Sequence, residues 1–255
     1  MSQVVTLVET RETSVPARAA PRADLAFGLA GAAAGTAGLV LLHHEPLAAA
    51  WFMVFLLAVL LFRWHARADL VALLVGATLG NLTEFLCDVK GVWVHSHRDI
   101  AGVAPPYIFV CYPILWLTVP RLMDALVGRP RPSTERGAKD AFIALLLWGA
   151  HTGLSFVFGT ENTPEGLVCI ALLALTAWRF HAPHDLAHLA FGGALGLVWE
   201  LPATAAGAWW FPHPTILGLV PWWLPLAYAI FFCNLGRVVG FVSPGRVTPP
   251  GPSGT

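Results

Sequence analysis

Two glutamates, Glu84 and Glu200, stand deep inside apolar stretches of this 255-residue chain, each one turn beyond a Gly-xxx-Gly step formed by Gly76/Gly80 and Gly192/Gly196. An ionisable side chain in such a stretch is costly to keep within a membrane and marks a functional site by default. Two carboxyls facing one low-dielectric cavity can share a proton, so one of them can serve as a general acid. The alternative is that each glutamate caps an outer helix end or bonds a neighbouring helix. Asp88 follows Glu84 by one turn, and Asn81 and Thr83 add polarity there, whereas the second stretch offers Leu197, Trp199 and Thr204. The expected catalytic set is therefore Glu84, Glu200 and Asp88, with the first half better supplied. Close backbone approach at the glycine steps is expected to cross the two Glu-bearing helices near one axis.

Each glutamate is followed by Gly-x-Trp, then His, then Ile-x-Gly-x-x-Pro, and the second stretch carries extra aromatic residues. Trp93, His97, Trp209, Trp210, His213, Trp223, Tyr112 and Tyr228 are the candidate substrate-binding residues. Their ring faces would stabilise a carbocation formed when a carboxylic acid donates a proton. An interfacial aromatic belt would want Trp and Tyr at the same depth.

Other constellations point to structure. His184 and His188 lie at i, i+4 behind His181 in HAPHDLAH, a spacing that can hold a metal, but Ala68 and Ala72 replace them in the matching stretch. Polar packing at a helix end is the preferred reading, so no metal is expected. Asp69 and Asp185 open helices, where a carboxylate complements the N-terminus, and are expected to pair with Arg63 or Arg179. Cys87, Cys111, Cys169 and Cys233 lie singly in apolar segments, without CxxC spacing, and read as buried thiols. There is no phosphate-binding Gly-rich loop and no Ser-His-Asp spacing, and no cofactor is expected.

The positions that matter recur. Residues 63–121 align with 179–237 at a constant offset of 116 without a gap, and 19 of 59 positions are identical. Arg63/Arg179, His65/His181, Asp69/Asp185, Glu84/Glu200, Gly91/Gly207, Trp93/Trp209, His97/His213, Pro105/Pro221, Tyr112/Tyr228 and Arg121/Arg237 all coincide. A period of this kind reads as tandem duplication of a four-helix unit, with the copies related by a pseudo-twofold axis along the membrane normal.

The elements that must hold these groups are membrane helices. The chain is 56% hydrophobic and 12% charged with a mean hydropathy of +0.67, a balance that a soluble domain could not cover with polar surface. The 15 Lys+Arg cancel the 15 Asp+Glu, which argues against a nucleic-acid partner. The expected partners are the lipid bilayer and an apolar isoprenoid or lipid substrate.

Eight segments approach the length needed to span: 25–42, 47–62, 69–88, 106–123, 140–158, 164–180, 184–203 and 217–239. The expected fold is thus all-α and polytopic, in two tandem four-helix repeats, 25–123 and 140–239. These are joined by a basic linker, 124–139, and flanked by flexible tails, 1–24 and 240–255. With eight spans, 13 of the 15 basic residues fall on one side and only Lys90 and Arg98 on the other. Both termini are then cytoplasmic, in a bacterial inner (plasma) membrane. Glu84 follows Asp69 by 15 residues, roughly 22 Å along a helix, which sets it in the outer third of the bilayer.

At Glu84-x6-Gly91-x-Trp93 followed by Ile100-x-Gly102-x-x-Pro105, and again from Glu200 through Pro221, the chain resembles the small membrane proteins of carotenoid biosynthesis. These are the lycopene-cyclase-type domains and the carotenoid hydratases. More loosely, it is similar to integral-membrane terpene cyclases. The resemblance covers the two 59-residue stretches. It implies redox-neutral, proton-initiated cyclisation or hydration of a long isoprenoid. The cyclase domains carry a Pro-x-Glu-Glu segment where this chain has Pro105-Pro106-Tyr107-Ile108 and Pro221-Trp222-Trp223-Leu224, so the acid role would fall to Glu84 and Glu200. A small transporter with a carboxylate-lined site between the repeats and a non-catalytic membrane assembly factor are the competing classes.

Overall fold

A computed structural model describes residues 21–126 and 137–242 of the chain, except for the side chains of residues 21, 22, 67, 68, 124 and 184. Most of both expected tails and of the basic linker lies outside the described residues. Among those described there are eight helices: α1 Pro21–Leu42, α2 Pro46–Arg63, α3 Arg67–Lys90, α4 Ile108–Leu126, α5 Gly137–Phe158, α6 Asn162–Arg179, α7 Pro183–Ala205 and α8 Leu224–Val242. Two-residue strands β1 (Val94–His95) and β2 (Trp209–Trp210) follow α3 and α7. The fold is all-helical apart from this ribbon.

Six helices, α1, α2, α3, α5, α7 and α8, are long and apolar enough to cross a membrane. The apolar run of α4 is shorter, Ile108–Met123, and contains Pro113 and Pro120. The first turn of α6 holds Asn162, Thr163 and Glu165, which lowers its hydropathy. Large apolar side chains stand exposed along the outside, among them Trp51, Phe62 and Trp178 at 73%, 90% and 74%. So much exposed apolar surface suits contact with lipid and not with water.

Local chemistry sets the helix limits. Pro46 and Pro183 open α2 and α7, where a missing N–H costs nothing. Gly91, at φ 78°, ends α3 in the left-handed region, and Gly207 turns at φ 82° after α7. The expected eighth span, 217–239, begins late. Leu217 and Gly218 adopt positive φ, Ile216 bridges Val220 in a tight turn, and α8 starts only at Leu224. The matching turn joins Ile100 to Ala104, with Ala101 and Gly102 at positive φ.

Correspondence at the offset of 116 extends well before residue 63. The first residues of α1, α2, α3 and α4 and of α5, α6, α7 and α8 are each 116 apart. The buried ion pairs recur in the same way, but not with the expected partners. Asp69 accepts from Arg121 at 3.0 and 2.5 Å, and Asp185 from Arg237. Arg63 instead bonds Asp24 at 3.1 Å, and Arg179 bonds Asp140. Each half therefore ties its last helix to the start of its third, and its second helix to the start of its first.

Candidate functional site

The glycine steps do not cross α3 with α7. A Cβ on Gly76 would lie 1.8 Å from Cγ of Trp116, and one on Gly80 would lie 2.2 Å from Cδ1 of Tyr112. Likewise a Cβ on Gly196 would lie 2.3 Å from Cγ of Tyr228. The steps seat the aromatic side chains of α4 and α8, because a bulky ring on the facing helix takes the space that a second glycine face would have filled. This seating has a use one turn later. The Tyr112 hydroxyl donates to Glu84 Oε2 at 2.6 Å, and the Tyr228 hydroxyl donates to Glu200 Oε1. Glycine, tyrosine and glutamate thus act as one unit in each half.

The turns at Gly91 and Gly207 bring a second donor back to each carboxylate. Trp93 Nε1 donates to Glu84 Oε1 at 2.8 Å, and Trp209 Nε1 donates to Glu200 Oε2 at 2.7 Å. An indole N–H can only donate, so these oxygens must accept. The loops are held together by antiparallel pairing of β1 with β2, Val94 opposite Trp210 and His95 opposite Trp209.

Both glutamates line one cleft, walled by Trp93, Trp199, Trp209, Tyr112 and Tyr228. It measures about 340 Å³ including its open mouth, but leaves only about 20 Å³ for the centre of a water molecule. That is room for one or two waters.

Behind Glu84 stands His95, 2% exposed, which the sequence reading did not single out. Its Nε2 is 2.8 Å from Glu84 Oε1 and 3.2 Å from Asp88 Oδ2. One ring nitrogen carries one proton, and it points at Glu84, so Asp88 Oδ2 is within ion-pair distance but has no hydrogen-bond partner. Burial opposes a charge on His95, but its close contacts with Asp88 and Glu84 and their charges outweigh it and raise its pKa to about 9.

Donor atoms of Glu84, Asp88 and His95 lie within 4.8 Å of one another, as a metal site would require. Two nitrogen or oxygen ligands of a tetrahedral ion stand about 3.3 Å apart, however, given bonds of about 2.0 Å. The 2.8 Å between His95 and Glu84 is a hydrogen-bond length, shorter than that separation.

The remaining expected residues are dispersed. Trp223 donates to Asn162 Oδ1 at 3.1 Å and lines a separate small groove that also includes His213. Trp210 is half exposed on the ribbon, and His97 is half-buried and absent from the cleft wall. The His184 side chain lies outside the described residues, His188 is half-buried, and exposed His181 bonds the Trp178 carbonyl. Of the expected set, the structure brings together Glu84, Glu200, Trp93, Trp209, Tyr112 and Tyr228, with Asp88 behind them.

His95 was hidden because the second half has Phe211 in its place. The available signal was polarity present in one copy only. No family model, curated protein or solved structure matches this chain.

Proposed function

We propose that the protein is an integral-membrane enzyme that acts on an isoprenoid or similar lipid by proton-initiated cyclisation or hydration. The observation that carries this reading is the pair of buried glutamates lining one cleft between aromatic walls. His95 passes its proton to Glu84, which delivers it to an alkene carbon at the substrate's reacting end, and the ring faces of Trp93, Trp199 and Trp209 shield the resulting cation. Glu200 then removes a proton to give an isomer, or takes one from a water that adds to the cation. Glu200 releases its proton to water, and His95, with Asp88 behind it, takes one back, which closes the cycle. The cleft as it stands holds one or two waters, so the reacting end must part the aromatic walls to enter, and the rest of a long chain stays along the lipid-facing helices.

The matched helix limits and ion pairs support eight spans in two four-helix halves related by a pseudo-twofold axis along the membrane normal. The ribbon register supports the same axis, because Val94 faces its own counterpart, Trp210. The distribution of basic residues supports cytoplasmic termini and a bacterial inner membrane as the location.

The test is mass spectrometry of lipids and pigments from cells that supply isoprenoid precursors, comparing wild type with Glu84→Gln/Glu200→Gln. A species unique to wild type, isomeric with its precursor or heavier by one water, is expected. Identical profiles from two folded proteins would remove this reading. The water-sized room in the cleft favours a second one, a proton or small-cation carrier. That reading requires flux in proteoliposomes that depends on Glu84 or Glu200, with no new lipid.

A further inference from the structure

A second polar cluster lies between α5 and α6, away from the cleft lining. His151 and Ser155 sit one turn apart on α5, and Glu165 and Cys169 one turn apart on α6; all four are buried. Cys169 Sγ lies 3.8 Å from His151 Nε2 and 3.6 Å from Glu165 Oε1, and Ser155 Oγ donates to Glu165 Oε1 at 2.5 Å. Two of the cluster's atoms, His151 Nδ1 and Glu165 Oε2, are buried without a hydrogen-bond partner. A fully buried glutamate with one oxygen lacking a donor is an expensive feature, and a cation bound at that carboxylate would offset its charge.

We propose that His151, Glu165 and Cys169 bind a divalent transition-metal ion of the zinc type. The distances fit. With bonds of about 2.3 Å to sulfur and about 2.0 Å to nitrogen or oxygen, a tetrahedral ion holds its sulfur about 3.5 Å from each neighbouring ligand. Both sulfur distances lie within about 0.3 Å of that value, and one ligand atom from each of the three residues lies within 4.8 Å of the others. One imidazole, one carboxylate and one thiolate form a borderline-soft set that suits zinc, cobalt or iron better than magnesium or calcium.

The charge also fits: a divalent cation, one carboxylate and one thiolate sum to zero, which suits a site shielded from water. Binding releases the Cys169 thiol proton to the buffer, with a second proton wherever Glu165 starts protonated, and nothing is oxidised or reduced. Ser155 orients the carboxylate from outside the ligand set. A water completes the fourth position.

The other half shows that the helix pair does not need this cluster in order to pack. At the positions 116 residues earlier stand Gly35, Leu39, Ala49 and Met53, and the last three are fully buried apolar side chains in the equivalent α1–α2 pair. The same interface is thus built once without polar groups and once with three metal-ligand types.

The test uses the full chain, purified in detergent, stripped of metal and titrated with cobalt(II) and zinc(II). About one ion per chain is expected. The cobalt form should show a thiolate-to-metal charge-transfer band in the near ultraviolet, displaced by zinc. Cys169→Ser should abolish the band, and Glu165→Gln and His151→Ala should weaken binding at least about tenfold. The combined variant His151→Gly, Ser155→Leu, Glu165→Ala, Cys169→Met copies the first half's own packing and should fold while binding nothing. Glu84→Gln and Cys87→Ala should keep both the ion and the band, which separates this site from the cleft. Metal content equal to that of the combined variant, or a band lost with Cys87→Ala and kept in Cys169→Ser, would overturn the assignment.

Discussion

Glu84 and Glu200 occupy matched places and share two kinds of partner, but different groups stand behind them. Each accepts from a tryptophan nine residues on and a tyrosine 28 residues on, seated by a glycine four residues before the glutamate. Glu84 also has His95, with Asp88 beyond it. At the corresponding positions the second half has Phe211, which stacks edge-on against Trp93 and Trp223, and Thr204, which bonds the Glu200 carbonyl. The two carboxylates thus have matched tryptophan and tyrosine donors, and two polar side chains, His95 and Asp88, distinguish the surroundings of Glu84 from those of Glu200. The metal-type cluster repeats the lesson in reverse, with the polar set in the second half and apolar side chains in the first.

The sharpest way to break this comparison is to neutralise each acid separately. Glu84→Gln should lower product formation about 100-fold or more, the range of a lost general acid, and Glu200→Gln about tenfold. Equal losses would mean that His95 and Asp88 contribute nothing. Next, Gly80→Ala should cost about 1–3 kcal/mol of stability, through overpacking against the Tyr112 ring, and should displace its hydroxyl from Glu84. Thermal unfolding of Gly80→Ala and of Gly196→Ala should show similar penalties, since the tyrosine contacts are alike.

The third comparison is in pH. The folded pKa of His95, about 9, lies above its ordinary value of 6.5, so its stabilising contribution is complete below about 6.5 and is lost as pH rises through about 9. The unfolding midpoint of wild type should fall across that window, and His95→Gln, which keeps a donor and cannot titrate, should flatten the fall. Initial rates in wild type should decline only as pH rises through about 9, the folded value. The smallest effect should come from Trp93→Phe and Trp209→Phe, each losing one N–H bond to a carboxylate, about 1–3 kcal/mol. Double-mutant cycles with the cognate Glu→Gln change should return similar coupling energies in the two halves.

How legible the site was in the sequence follows from the same asymmetry. Glu84, Glu200, Trp93, Trp209, Tyr112 and Tyr228 stand out because they occur twice, and folding places them on one cleft. His95, His151, Glu165 and Cys169 occur once, opposite Phe211, Gly35, Ala49 and Met53, and a search for recurrence passes over them. Glu165-x3-Cys169 and His151-x3-Ser155 are one-turn spacings that place each pair on one helix face, but only the packing of α5 on α6 brings the two faces together.

His213 and Trp223 recur in pattern or kind yet point elsewhere, because the turn from Ile216 to Val220 carries the chain away from Glu200. Helix positions were readable from hydropathy. The partners of Asp69 and Asp185 were not, since Arg63 and Arg179, near in sequence, bond Asp24 and Asp140, while Arg121 and Arg237 arrive from the next helix.

Solvent labelling is the most direct test of proton-initiated chemistry at this cleft. Turnover in D2O should place one non-exchangeable deuterium on carbon in each product molecule formed by wild type. The labelled product should nearly vanish in Glu84→Gln and be reduced but still singly labelled in Glu200→Gln. A product that carries no solvent deuterium, or one formed at the wild-type rate by Glu84→Gln, would contradict the assignment of Glu84 as the acid.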